Sequence, residues 1–177
     1  MISFRILTIA ALTLAASALS GCGFKPLYAT DNAATRPVLA NVRLGEVYAA
    51  ETIEPQLMRA FVARTVRDGD TALYDLDVVT REGARALAVR IDASATRYNY
   101  ELTADYTLTR RSDGMKIKGR AKSLASFNVV ESQYSTLFAE EAAREKASRT
   151  LVDEIERSIL LKLEEAEEKQ ALAAGNK

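Results

Sequence analysis

From Tyr98 to Thr109 the chain alternates without a break. Tyr98, Tyr100, Leu102, Ala104, Tyr106 and Leu108 are apolar or aromatic, and Asn99, Glu101, Thr103, Asp105, Thr107 and Thr109 between them are polar. A two-residue period puts each set on its own side of a strand, so this segment needs one face buried and one in water. Ser112-Asp113-Gly114 follows, and Asp-Gly is a strong hairpin cue. The return segment keeps the period, with Met115, Ile117, Gly119, Ala121 and Ser123 on one side and Lys116, Lys118, Arg120 and Lys122 on the other. An isolated hairpin is marginal in water, so its apolar face must be covered. A helical stripe can cover it: Ala143, Ala147, Leu151, Ile155, Ile159 and Leu163 recur every four residues, widened by Val152 and Leu160. That helix is expected from Leu137 to about Leu163, with Ser135 or Thr136 as its N-cap.

Upstream, Val38, Ala40, Val42 and Leu44 alternate with Leu39, Asn41, Arg43 and Gly45, which reads as a half-buried strand beginning at Pro37. Thr52 to Arg67 changes period: Thr52 can cap, Pro55 sits in the first turn, and Leu57, Phe61, Val62 and Val66 share a helical face. Arg67-Asp68-Gly69-Asp70 closes that helix. Tyr74, Leu76 and Val78 open a further strand, but from Leu87, Val89 and Ile91 the apolar set has moved to odd positions. Such a change flips every side chain to the other face, so Gly83 is expected to mark either a bulge or a tight turn. The order predicts an α+β fold over residues 37–163. It is a two-layer sandwich of an antiparallel or mixed four-stranded sheet with two helices on one face. Residues 164–177, charged and then Ala-rich, are expected to fray.

The N-terminus has a different character. Met1 to Arg5 carries one positive charge and Ile6 to Leu19 is an apolar run of about 21 Å as a helix, short of a hydrocarbon core of ~30 Å. This is the layout of a secretory signal peptide. Leu19-Ser20-Gly21-Cys22 resembles a bacterial lipobox, where the Cys thiol takes a diacylglyceryl group and the chain is cut just before it. Residues 1–21 are therefore expected to be a signal peptide and residues 22–36 a lipid-anchored tether. Cys22 is the only cysteine, and a lipid on it would be covalent, so no dissociable cofactor is expected. Gly23, where lipoproteins kept in the inner membrane often carry Asp, favours the outer membrane, with the domain on its periplasmic side.

Composition narrows the chemistry. The 177 residues contain no His, which removes imidazole-based nucleophile systems, and one Cys, which rules out an internal disulfide. Lys and Arg number 24, as do Asp and Glu, so no global positive field draws the chain to nucleic acid. Carboxylate pairs such as Asp75/Asp77, Glu140/Glu141 and Glu164/Glu165 lack an aromatic-lined cleft, and no enzyme activity or metal site is expected. Tyr100 and Tyr106 are expected in the core beside Leu102 and Leu108. The row Lys116, Lys118, Arg120, Lys122 is the most informative surface feature, with Arg110 and Arg111 across the turn. It is either a solvated face whose lysines discourage edge aggregation or an anion site, with phosphates or carboxylates bridging neighbouring cations.

The start of the mature chain, Cys22-Gly23-Phe24-Lys25-Pro26-Leu27-Tyr28, resembles that of the LptE family of lipopolysaccharide-assembly lipoproteins, especially its alphaproteobacterial branch. Arg97-Tyr98, Ser126-Phe127-Asn128 and Ser132-Gln133-Tyr134 follow in the family's order. The resemblance implies a lipoprotein that plugs and helps assemble the LptD β-barrel and assists insertion of lipopolysaccharide into the outer leaflet. It also implies lipopolysaccharide binding by basic residues of the sheet. One of these, after an Ala in the last strand, matches Ala121-Lys122; a second matches either Arg81 or Arg85. The alternative is a lipid-anchored periplasmic binding module, or a subunit of another outer-membrane assembly complex.

Overall fold

The protein is seen in a computed structural model that describes residues 38–66, 71–89, 95–130 and 132–175. A 3₁₀ turn, Val38–Asn41, leads into strand β1 (Val42–Tyr48) and helix α1 (Glu54–Val62). Strands β2 (Tyr74–Val89), β3 (Ala95–Arg110) and β4 (Lys116–Asn128) follow, then helix α2 (Gln133–Gly175). The sheet order is β1-β2-β3-β4. β1 runs parallel to β2, and the other pairs are antiparallel. A parallel pair needs a crossover segment, which α1 supplies, whereas the Asp113-Gly114 turn closes β3 onto β4 directly. There Gly114 sits at φ +71°, where a side chain would be strained. The fold is α+β with a mixed four-stranded sheet and two helices, as the pattern of periods predicted.

One face of the sheet is buried. It carries Leu76 and Val78 from β2, then Tyr100, Leu102, Ala104, Tyr106 and Leu108 from β3, then Ile117, Ala121, Ser123, Ala125 and Phe127 from β4. The α2 stripe Ala143, Ala147, Leu151, Val152, Ile155, Ile159 and Leu163 closes over it, and Leu57 and Phe61 of α1 complete the same core. Small residues on β4 and on the first turns of α2 let strand and helix approach, and the Ser123 hydroxyl donates to the Ala147 carbonyl at 2.8 Å. Gly119 is the cross-strand partner of Tyr106, whose ring occupies the space a side chain at 119 would need. The Tyr106 hydroxyl then donates to Ser158 Oγ on α2 at 2.6 Å.

Several boundaries differ from those expected. Val38–Asn41 is a 3₁₀ turn rather than strand, because burying Leu39 beneath the helical layer outweighs continued alternation. Thr52 does not cap α1: Ile53 takes the N-cap position without a side-chain bond, and the Thr52 hydroxyl donates to Glu82 at 2.8 Å. The helix stops at Val62, since Val66 is drawn into a parallel bridge beside β1, its N–H donating to Val42 O at 2.9 Å. Gly83 is neither bulge nor turn, for it pairs with Glu101 in unbroken register. The irregularity lies at Ala86/Ala88, where Leu87 is left without an opposite residue and stands exposed. α2 begins earlier than expected, with Ser132 Oγ accepting from the Ser135 N–H at 3.4 Å, so Ser135 and Thr136 belong to its first turn. Leu163 is the last buried residue of the stripe, yet the helix continues to Gly175. Cys22 and residues 1–37 lie outside the described residues, as do Arg67–Asp70.

Candidate ligand-binding sheet face

The residues of the sheet's second face are exposed or half-buried among the described residues, and the register sets them in rows. Across β4, β3 and β2 these rows read Lys116–Thr109–Asp75, Lys118–Thr107–Asp77, Arg120–Asp105–Val79 and Lys122–Thr103–Arg81. Two more follow toward the far end: Leu124–Glu101–Gly83 and Ser126–Asn99–Arg85. Lys116, Lys118, Arg120 and Lys122 therefore form one exposed stripe, and Arg81 and Arg85 stand on the same face of β2. With the register unbroken at Gly83, both arginines share the exposed face with the β4 stripe.

The face is partly self-compensated. Asp105 accepts from Arg120 Nε at 2.6 Å and from Arg81 Nη1 at 2.8 Å. The Arg120 hydrogen bond, followed by that from Arg81, holds the Asp105 carboxyl below its ordinary range. Lys122 Nζ lies 2.7 Å from Glu101 Oε1. Asp75 takes Arg43 Nε at 2.7 Å and Arg111 Nε at 3.4 Å. Lys116, Lys118 and Arg85 form no salt bridge among the described residues.

Gly83 opens a gap in this face, since nothing lies within 4 Å of the place a Cβ would take. Around it Arg81, Arg85, Glu101 and Thr103, with Glu82 and Ala84, line an open groove of about 230 Å³. On the opposite side of the strand pair, the Tyr100 hydroxyl donates to the exposed Glu82 at 2.5 Å, and burial of the ring followed by that carboxylate raises the phenol's pKa. The groove thus combines two guanidinium groups, a hydroxyl and a carboxylate on a rigid strand pair. It suits an anionic group with polar substituents. Lys122 sits across Thr103 from Arg81, at the groove's β4 side.

The tyrosines of β3 are structural: Tyr100 and Tyr106 are buried, and Tyr98 stacks on Phe127 with centroids 5.6 Å apart. Asp75 and Asp77 are on the open face, Asp75 in ion pairs and Asp77 accepting the Glu46 N–H at 3.0 Å. The counter-ions Glu101 and Asp105 escaped the sequence reading. Counting back from the Asp113-Gly114 turn would have placed Asp105 opposite Arg120. Among the described residues no group of three His, Cys, Asp or Glu is placed to hold a metal, and no helix is long and apolar enough to cross a membrane.

No family model matches the chain, and no curated protein matches it. Solved structures do resemble it. A Caulobacter crescentus CB15 protein assigned as a lipoprotein shares 22% identity, covering 82% of this chain and 98% of the other, with a TM-score of 0.48. An uncharacterized lipoprotein B from Nitrosomonas europaea shares 16% identity over 70% of this chain and 83% of its own, with a TM-score of 0.47. The rare lipoprotein B of Shewanella oneidensis shares 12% identity over 69% and 99%, with a TM-score of 0.37. At these identities and TM-scores the likeness carries no function across.

Proposed function

We propose that this chain is a lipid-anchored outer-membrane protein of the LptE type, which plugs and helps assemble an LptD β-barrel and assists insertion of lipopolysaccharide into the outer leaflet. One observation carries the reading: Cys22-Gly23-Phe24-Lys25-Pro26-Leu27-Tyr28 begins at the cysteine that closes the lipobox-like Leu19-Ser20-Gly21-Cys22. In this reading the acylated Cys22 holds the domain at the membrane, since several acyl chains anchor stably where one is marginal. The protein performs no bond chemistry. Its sheet offers cations to the phosphates of the lipid, and the rigid hairpin fixes their spacing. Arg81 and Arg85 beside the Gly83 gap, with Lys122 across Thr103, are the first contacts. Lys116, Lys118 and Arg120 extend the positive field along β4.

Three measurements test the reading. Mass spectrometry of the purified protein should find an acylated N-terminus at Cys22, and Cys22→Ser should block both acylation and cutting after Gly21. A pull-down from detergent-solubilised outer membranes should recover one large β-barrel at equal stoichiometry. Arg81→Glu with Lys122→Glu should weaken binding of purified lipopolysaccharide and reduce its salt dependence while circular dichroism stays unchanged. An unacylated N-terminus elsewhere, or the lack of any barrel partner, would overturn the proposal.

A further inference from the structure

β4 is an edge strand: the order β1-β2-β3-β4 leaves its outer side without a neighbour among the described residues. It pairs with β3 without a shift from Arg97↔Asn128 to Thr109↔Lys116, so it has no bulge, and it contains no proline. Proteins usually blunt such an edge by shortening it or by interrupting it with a bulge. Among the described residues the protection of this edge is the row of cations.

The phase of the ladder decides which backbone groups are free. In an antiparallel pair, successive residues turn their N–H and C=O alternately toward the neighbour and away from it. The Arg110 N–H donates to Met115 O at 2.8 Å, which makes 110 and 115 a hydrogen-bonded pair. Along the unbroken register the odd residues Ile117, Gly119 and Ala121 then bond to β3. The even residues Lys116, Lys118, Arg120 and Lys122 present their own N–H and C=O to the open edge. The residues that offer backbone pairing are thus the residues that carry the positive charges.

We infer that the β4 edge receives an extended segment of another polypeptide that places acidic side chains at alternate positions, opposite Lys116, Lys118, Arg120 and Lys122. Strand addition satisfies the edge backbone, and directly opposed residues of an antiparallel pair share a face, where opposite charges attract and like charges repel. Lys116 and Lys118 have no ion-pair partner of their own among the described residues, so they are the cations an incoming carboxylate meets without competition. A second copy is the poorer match by the same rule, since full-length antiparallel pairing of two β4 strands sets Lys122 against Lys122 and gives the other cations no carboxylate. This surface goes beyond the lipid-binding reading and relies on the edge backbone and Lys116 and Lys118, not on the Gly83 groove.

The test uses the full chain in detergent and a synthetic peptide of alternating Glu and Thr, with an alternating Lys–Thr peptide as control. Before peptide is added, the amides of Lys116, Lys118, Arg120 and Lys122 should exchange with solvent faster than those of Ile117, Gly119 and Ala121. The Glu–Thr peptide should bind and slow the even set alone, and the Lys–Thr peptide should not bind. Lys118→Pro removes an edge N–H without touching the β3 ladder, so binding should be lost while the fold is kept. Lys116→Gln with Lys118→Gln should weaken binding by about three- to tenfold, a result available even if the proline variant misfolds. Failure of the Glu–Thr peptide to bind, equal binding of both peptides, slow even amides in the free protein, or undiminished binding by folded Lys118→Pro or by the double variant would each overturn the inference.

Discussion

Gly119 is the position where one methyl group should do the most damage. Its cross-strand partner Tyr106 lies over it, and an added Cβ would stand 2.7 Å from Tyr106 Cε1 and closer still to Cζ and Oη. Ordinary contact needs about 3.5–4.0 Å between carbons, so the ring has to move by roughly an ångström. Tyr106 has little room to do so, being 2% exposed and tied through its hydroxyl to Ser158 at 2.6 Å. Overpacking of a tight core costs about 1–3 kcal/mol, and losing the hydroxyl bond adds about 1 kcal/mol. The stiffer unfolded chain of an alanine variant offsets about 0.4–1 kcal/mol. Gly119→Ala should therefore lose about 1–3 kcal/mol.

For a domain of this size that loss lowers Tm by about 3–12 °C, readable by circular dichroism or by urea titration. The cause can be isolated with a double-mutant cycle. Tyr106→Leu removes the ring, so Gly119→Ala in that background should be close to neutral or slightly stabilising. A Gly119→Ala protein as stable as the parent would refute the reasoning. So would an equal penalty with and without the Tyr106 ring.

Three further outcomes follow from the same geometry. Asp105 is held below its ordinary pKa by Arg120 and then Arg81, so the folded state binds fewer protons there than the unfolded chain. Its contribution is present above the unfolded value of about 4 and is lost as pH falls, and Asp105→Asn should flatten the acid limb of a stability–pH curve. Tyr100 is shifted the other way by burial and by Glu82, so its contribution is present below the unfolded value of about 10 and declines as pH rises past it. Ultraviolet titration should show a phenol ionising above the ordinary range that disappears in Tyr100→Phe, and the same variant should lose Tyr100's part of the alkaline loss. Glu101→Gln frees Lys122 from its 2.7 Å partner and should tighten lipopolysaccharide binding by at most about fivefold at low salt, with the gain shrinking as salt rises. An unchanged titration at both salt concentrations would remove Lys122 from the ligand contacts.

The layered fold was legible because its signals are periodic and long. The alternation through Tyr98–Leu108, the Asp113-Gly114 turn and the Ala143–Leu163 stripe are each repeated often enough to outvote a local exception, and all three are found where expected. What escaped the sequence was set by tertiary contacts of single residues. Val66 left a helical pattern to bridge Arg43, and Thr52 gave up a cap for Glu82. At Gly83 a glycine between two apolar parities suggested a bulge, yet both sides of β2 there are exposed, so no buried face enforced a parity at all. The basic stripe was read correctly as a row, but a single strand shows only half of its electrostatics. Glu101 and Asp105 lie on β3, and only the register brings them to Lys122 and Arg120.

That compensation bears on how a ligand would be selected. A face of unpaired cations would attract any anion, with affinity set by charge and lost in salt. Here Arg81 and Arg120 share Asp105, and Lys122 has Glu101, so an incoming phosphate must offer better geometry than a carboxylate already in place. A single exposed phosphate gains little by such an exchange, since surface ion pairs contribute only about 0–1 kcal/mol each. A rigid molecule bearing several phosphates at fixed spacing gains at every row and orders itself only once, so the surplus accumulates with the number of rows engaged. In the proposed reading the in-sheet carboxylates would thereby turn a general anion surface into one that favours multivalent, pre-arranged ligands. The register of β2, β3 and β4, unbroken from Asp75 to Arg85, is what holds those rows at constant spacing.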